Sequence, residues 1–116
     1  MIDPSIEARQ RQLCRTYGAA FEPPTPGSKL GLALRTLGSF PLHGVRVAPT
    51  ESTCGWYLHA GEGSDEADFY QPLCVEHLPE RCPLALPFLG LPAGWHFLTD
   101  AAGFVDVWCG PPAPPG

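Results

Sequence analysis

The residues closest to a metal-ligand motif are Cys74, His77 and Cys82. His77 follows Cys74 by three positions, and Cys82 follows His77 by five. Zinc prefers tetrahedral sets of cysteine and histidine, and two residues three apart on a helix share one face. A fourth ligand would have to come from a more distant position: His59, His96 or Cys109. Structural zinc sites usually show two closely spaced ligand pairs, so we interpret these residues as buried thiols and a hydrogen-bonded histidine. We predict no metal and no cofactor, with a small Cys/His metal-binding protein or enzyme as the alternative.

A cysteine nucleophile is a second candidate, with Cys54 before Gly55 and either His77 or His96 as its base. Nucleophilic catalysis also requires a base within hydrogen-bond reach and an oxyanion site. No local signature indicates either, and the glycines around Gly31 lack the spacing of a phosphate-binding loop. We therefore predict that the protein is not an enzyme.

An acidic loop between positions 61 and 68 contains four carboxylates. These are Glu62, Asp65, Glu66 and Asp68. Clustered carboxylates can hold a hard cation, but the ligand order of an EF-hand, with its central glycine and closing glutamate, is absent. A solvated loop is the simplest interpretation. A mobile acidic loop on an aromatic scaffold also suits recognition of a basic protein surface.

Length, hydrophobic content and charge restrict the classes of protein to which the chain can belong. A chain of 116 residues, 44% hydrophobic, fits one domain with a core of its own. We assign residues 1–110 to that domain and 111–116 to a flexible, proline-rich tail. The net charge is -5 and the seven basic residues are scattered, so nucleic acid is not an expected partner.

The N-terminal residues contain no apolar stretch of the kind found in a secretory signal. No run of about 18 apolar residues is present, so no membrane span is predicted. The five cysteines form no C-x-x-C pair, and in a protein that is not exported they should stay reduced. We therefore expect a cytoplasmic protein.

The first half of the chain predicts one helix and two strands. Asp3 and Pro4 are typical of a helix start, and we place a helix at 4–17. Alternating leucines at 30, 32 and 34 predict a half-buried strand. Residues 41–44 predict a turn, followed by a short strand that contains Val45 and Val47.

The second half predicts a strand at 54–60, with Trp56 and Leu58 on one face and Tyr57 and His59 on the other. Prolines at 79, 83 and 87 break the segment 75–90 into two short helices. A hairpin follows at 95–109, and the three tryptophans are predicted to belong mainly to the core. The fold class is α+β: an N-terminal helix, a mainly antiparallel sheet, one or two short proline-broken helices packed on it, and a C-terminal hairpin.

Several motifs between Cys54 and Gly110 resemble those of a bacterial domain, the immunity protein thirty-three type of polymorphic toxin systems. Members show Gly-Trp before an acidic loop, an aromatic-Pro-Leu step, His-Leu, Cys-Pro, Leu-Gly-Leu-Pro-x-Gly-Trp-x-Phe and a closing Asp-Val-Trp. The matching positions are Gly55-Trp56, Glu62, Phe69 to Leu73, His77-Leu78, Cys82-Pro83, Leu89 to Phe97 and Asp106 to Trp108. Weaker matches lie at Cys14, Tyr17-Gly18 and Pro41 to Arg46. Cys74, His96 and Cys109-Gly110 depart from the family pattern, where histidine, arginine and an aromatic-Asp ending are expected.

The resemblance implies an immunity protein that binds and neutralises a cognate protein toxin by occlusion, without catalysis. It implies a bacterial cytoplasmic protein. From the scattered charge and the absence of a long apolar run, we expect neither nucleic acid nor membrane as a partner. We hypothesise a toxin-binding surface formed by the acidic loop and the adjoining strand. Its residues are Glu62, Asp65, Glu66, Asp68, Tyr57 and His59. A protein-interaction module unrelated to toxins remains a further alternative.

Overall fold

The computed structural model describes residues 4–51, 53–63, 68–100 and 102–110. Asp3, the middle of the acidic loop and the proposed tail at 111–116 lie outside these ranges. Among the described residues, no helix is long and apolar enough to cross a membrane.

The N-terminal helix α1 spans Pro4–Tyr17, which confirms the predicted position. Gly18, at φ +72, ends it, because the left-handed conformation is easily reached only by glycine. The buried side of α1 is centred on Gln10 and Cys14, whereas Tyr17 is 37% exposed. Gln10 is buried because its Nε2 donates a 2.8 Å hydrogen bond to the Leu86 carbonyl. That bond ties α1 to the segment that follows Pro83.

A six-stranded sheet forms the centre of the fold, in the order β4-β1-β3-β2-β5-β6. The strands are β1 Lys29–Leu32, β2 Leu42–Arg46, β3 Trp56–Ala60, β4 Gln71–Cys74, β5 Trp95–Thr99 and β6 Val105–Cys109. The β1–β3 pairing is parallel and the other four pairings are antiparallel. The α+β class and the mainly antiparallel sheet are therefore confirmed.

Three short helical pieces replace the continuous helix that the prolines exclude. They are a 3-10 helix at Val75–His77, the α-helix α2 at Leu78–Arg81 and a 3-10 helix at Pro83–Phe88. Phe88 stacks on Phe97 of β5 with ring centroids 4.2 Å apart, and α1 packs on the outside of the Pro83–Phe88 segment. These helices cover one face of the sheet, and the core lies between them and that face.

The prediction that Leu34 continues the first strand is wrong. The chain turns into a 3-10 helix at Leu34–Thr36, where the Thr36 amide donates to the Ala33 carbonyl, and Leu34 is exposed. Since Gly31 is buried together with Leu30 and Leu32, β1 is not the half-buried strand that the alternation suggested.

The predicted turn at 41–44 is also wrong, because Leu42 to Gly44 lie in β2, hydrogen-bonded between β3 and β5. Gly44 serves close packing rather than a turn. A Cβ at this position would lie 2.1 Å from the Phe97 ring, so only glycine lets that ring cross the centre of the strand.

The tryptophans are not all core residues. Trp56 is fully buried, and its Nε1 donates a 3.1 Å hydrogen bond to the Leu89 carbonyl. Trp95 is half-buried against the core. Trp108 is 37% exposed, so the core prediction fails for it.

Candidate functional site

The second face of the sheet is the candidate site. Side chains alternate along β2 and β3, so that every residue facing the helices is buried and every other residue is only half-buried. No described helix lies over this second face, which we call the open face. Its residues are Gly31, His43, Val45, Tyr57, His59, His96, Leu98, Asp106 and Trp108.

Three histidines and a tryptophan lie in contact on the open face. His43 of β2 is directly opposite His59 of β3, with ring centroids 5.0 Å apart in an edge-to-face arrangement. His96 of β5 stacks on Trp108 at 5.1 Å with an interplanar angle of 7°. His43 lies between the two pairs, 6.0 Å from His96 and 6.1 Å from Trp108. We call these four residues the histidine cluster.

Burial disfavours the charged forms of two members of the histidine cluster, His43 and His59. Loss of solvent, followed by repulsion from His59 and His96, lowers the pKa of His43 from 6.5 to about 4. Burial also lowers the pKa of His59. The Nδ1 atom of His96 is buried and has no hydrogen-bond partner among the described residues. The open face therefore presents His43 and His59 as neutral imidazoles with hydrogen-bonding capacity.

Two tyrosines continue the open face towards β1 and β4. The Tyr70 hydroxyl lies 3.1 Å from His59 Nδ1, and its ring meets that of Tyr57 edge-to-face at 5.2 Å. Burial, with a smaller contribution from Tyr57, raises the pKa of Tyr70, so the hydroxyl keeps its proton at neutral pH. Gly31 makes room for the Tyr57 ring and the Tyr70 side chain, because a Cβ there would lie 2.7 Å from the Tyr57 ring and 3.2 Å from the Tyr70 Cβ.

The acidic loop begins and ends beside this surface. Glu62 and Asp68 are exposed, while Asp65 and Glu66 lie outside the described residues. A Cβ added to Gly63 would lie 3.4 Å from His59 Nε2, so the start of the loop passes close to the histidine cluster. Of the six residues hypothesised from sequence, the structure thus places Tyr57, His59 and the start of the loop in one region.

The Cys/His residues considered for metal binding do not form a ligand set. Within the described ranges, no three His, Cys, Asp or Glu side chains come together in a way that could hold a metal ion. Cys74 is half-buried at the end of β4, His77 is exposed and Cys82 is in the core, where burial raises the pKa of its thiol. A raised pKa disfavours the thiolate that a metal requires.

The Cys54 nucleophile suggested by the sequence is not supported by its position. Cys54 is buried in the core on the helix side of the sheet, whereas His96 is on the open face and His77 is exposed. A substrate therefore has no access to the thiol from the side on which His96 lies.

Sequence reasoning missed His43, His96 and Trp108 as members of the site. His43 was assigned to a turn and Trp108 to the core. The local signal for a shared face of His43 and Val45 is that they alternate with the residues that point to the core. Those core-facing residues are Leu42, Gly44 and Arg46. Nothing local indicates that β5 lies beside β2, which is what brings His96 to His43.

The fold and this surface define a small α+β domain with one sheet face covered by helices and one face available for contact. A family model described as an Imm33-like domain matches residues 9–110, most of the chain. The chain belongs to the Imm33-like family, which confirms the resemblance to immunity proteins noted from its motifs. No curated protein and no solved structure matches the chain.

Proposed function

We propose that this protein is an immunity protein that binds a cognate bacterial toxin in the bacterial cytoplasm and neutralises it by occlusion. The observation that supports this proposal most directly is the open face, where aromatic and imidazole side chains lie together without a covering helix. Family membership supports the same class of function. Neutralisation by occlusion requires a complementary surface rather than a catalytic group.

The side chains of the open face are of the types that dominate binding energy at protein interfaces. Tyrosine and tryptophan bury large areas while keeping one polar group for hydrogen bonding. Their rings are already fixed by mutual contacts, such as His96 on Trp108 and Tyr57 against Tyr70. Because little side-chain freedom remains to be lost, more of the contact energy appears as affinity.

The size of the open face supports a contribution of the acidic loop to the proposed contact. Six strands about 4.8 Å apart and about 17 Å long give a footprint of roughly 400 Å². A standard interface buries about 800 Å² on each partner. The loop begins next to His59, and we propose that it supplies the difference. Its carboxylates, on a chain of net charge -5, favour a toxin with a basic surface.

Binding of the open face is tested with the purified toxin and calorimetry on Trp108→Ala and His59→Ala. Loss of an anchor worth about 2 kcal/mol weakens binding roughly 30-fold. Tyr17→Ala is the matched control, because Tyr17 is as exposed as Trp108, at 37%, but lies on α1 at the helix side. Full affinity in both open-face variants, with a loss in Tyr17→Ala, would place the toxin on the opposite side.

The contribution of the loop is tested by association kinetics. Replacing Glu62, Asp65, Glu66 and Asp68 with their amides should slow association roughly tenfold at low salt and flatten its salt dependence. The same change at exposed Glu76 and Glu80 serves as the control. An unchanged association rate would remove the loop from the interface.

A further inference from the structure

The outer edge of β6 is the second surface of interest, because it ends the sheet and carries little protection against pairing with another strand. β6 pairs with β5 on one side, and no described element lies along its other side. Natural edge strands are usually protected by proline, by a bulge or by charged side chains, especially lysine. The one charged residue of β6 is Asp106. The other edge, β4, contains Pro72, whereas β6 contains neither proline nor a basic residue.

Exposed apolar side chains are concentrated at this edge. In the described part of the chain, six large apolar side chains are exposed, and three of them are Phe104, Val105 and Trp108. Val105 also lines an apolar groove of about 920 Å³ between α1, the Pro83–Phe88 segment and the hairpin. An unprotected edge flanked by apolar side chains favours addition of another strand.

The hydrogen bonds of the β5–β6 hairpin show which backbone groups point outward. The Asp100 amide donates to the Phe104 carbonyl, and the Gly110 amide donates to the Gly94 carbonyl. Since hydrogen-bonded and non-hydrogen-bonded pairs alternate in an antiparallel ladder, Asp106 and Trp108 also bond towards β5. The N–H and C=O groups of Val105, Val107 and Cys109 therefore point away from the sheet.

We propose that the occupant of this edge is a second copy of the same chain, joined by antiparallel β6–β6 pairing. The three outward residues are spaced symmetrically about Val107, so a two-fold axis beside Val107 pairs all of them. Val107 then lies opposite the second copy's Val107, and Val105 lies opposite the second copy's Cys109. Three such pairs form about six hydrogen bonds.

The side chains are compatible with this register. Asp106, the one charged residue of β6, lies opposite the second copy's Trp108 rather than opposite another carboxylate. Like charges directly opposite each other would destabilise the pair. The dimer makes the two sheets continuous and leaves most of each open face accessible, so it does not depend on the proposed toxin binding.

The molar mass in solution tests the dimer. We expect a mass near 25 kDa, twice the 12.5 kDa of the chain, by light scattering or sedimentation at micromolar concentration. Val105→Lys adds a charge at a position that is 43% exposed, so the fold is kept while the dimer dissociates. Leu34→Lys, at another exposed apolar position (37%) away from β6, should leave the mass unchanged.

The register is tested by cross-linking with Val105→Cys. The introduced thiol would lie opposite the second copy's Cys109, about 5.5 Å between Cα atoms, a distance that a disulfide can span. Oxidation should give a covalent dimer that is lost when Cys109→Ser is added. A monomeric mass throughout the micromolar range would overturn the inference. A dimer that persists in Val105→Lys, together with no cross-link in Val105→Cys, would also overturn it. Toxin binding by a monomeric protein would leave the proposed function intact.

Discussion

Stability should fall as the pH drops below 6.5, because His43 is held uncharged in the folded state. Its pKa is about 4 when folded and 6.5 in an unperturbed chain. Between these values the unfolded chain binds more protons than the folded chain, so acid favours unfolding. The stabilisation is therefore fully present above pH 6.5 and is lost progressively as the pH falls towards 4.

The size of the effect follows from the pKa difference. A difference of about 2.5 pH units corresponds to about 3.4 kcal/mol. His43 is only half-buried, so screening by solvent reduces this to about 2 kcal/mol. His59, whose pKa is also lowered by burial, adds to the loss in the same direction.

Urea unfolding of wild type and His43→Gln at pH 7, 6, 5 and 4.5 measures this contribution. Glutamine cannot titrate, so the wild type should lose about 2 kcal/mol more than the variant over this interval. His77→Gln is the control, since His77 is exposed and outside the histidine cluster. Parallel pH profiles for wild type and His43→Gln would refute the idea that the cluster disfavours the charged imidazole.

Two further variants test the packing beneath the open face. Gly44→Ala should destabilise the fold by about 1–3 kcal/mol, because the new Cβ would overlap the Phe97 ring. Gly110→Ala, where no heavy atom lies within 4 Å, should leave the thermal midpoint unchanged. Arg46→Met should cost about 3 kcal/mol or more in urea unfolding, because the guanidinium donates to the carbonyls of Cys54, Glu22 and Leu91. The exposed Arg9→Met is its control, and an equal, small effect of both would contradict the structural role of Arg46.

Local sequence patterns were sufficient where a single element determines the result. The position of helix α1 follows from the Asp3-Pro4 start signal in the sequence, and the β5–β6 hairpin follows from alternation on either side of a turn. The opposite faces of Trp56 and Tyr57 also follow from alternation in β3. These features depend on neighbours in sequence, so their signals survive without tertiary information.

Tertiary packing determined the features that the sequence did not indicate. Gly44 suggested a turn, but its lack of a side chain makes room for Phe97, more than fifty positions away. The histidine cluster exists because β2 lies between β3 and β5 in the sheet order. That order is set by long-range pairing, which periodicity cannot reveal.

The part of the structure that we propose for binding also contains a buried polar atom without a hydrogen-bond partner in the described part of the chain. Core polar groups such as the Arg46 guanidinium and Trp56 Nε1 have hydrogen-bond partners. In the histidine cluster, His96 Nδ1 is buried without a partner among the described residues, and Trp108 is exposed. Buried polar atoms without partners cost about 1–3 kcal/mol of folding free energy each, and such exceptions in an otherwise well-satisfied fold are expected at functional sites.

A toxin bound to the open face would supply the missing hydrogen-bond partner of His96 and cover Trp108. On this argument, His96→Phe should raise the stability of the free protein while weakening toxin binding, whereas a purely structural His96 would lose stability on that change.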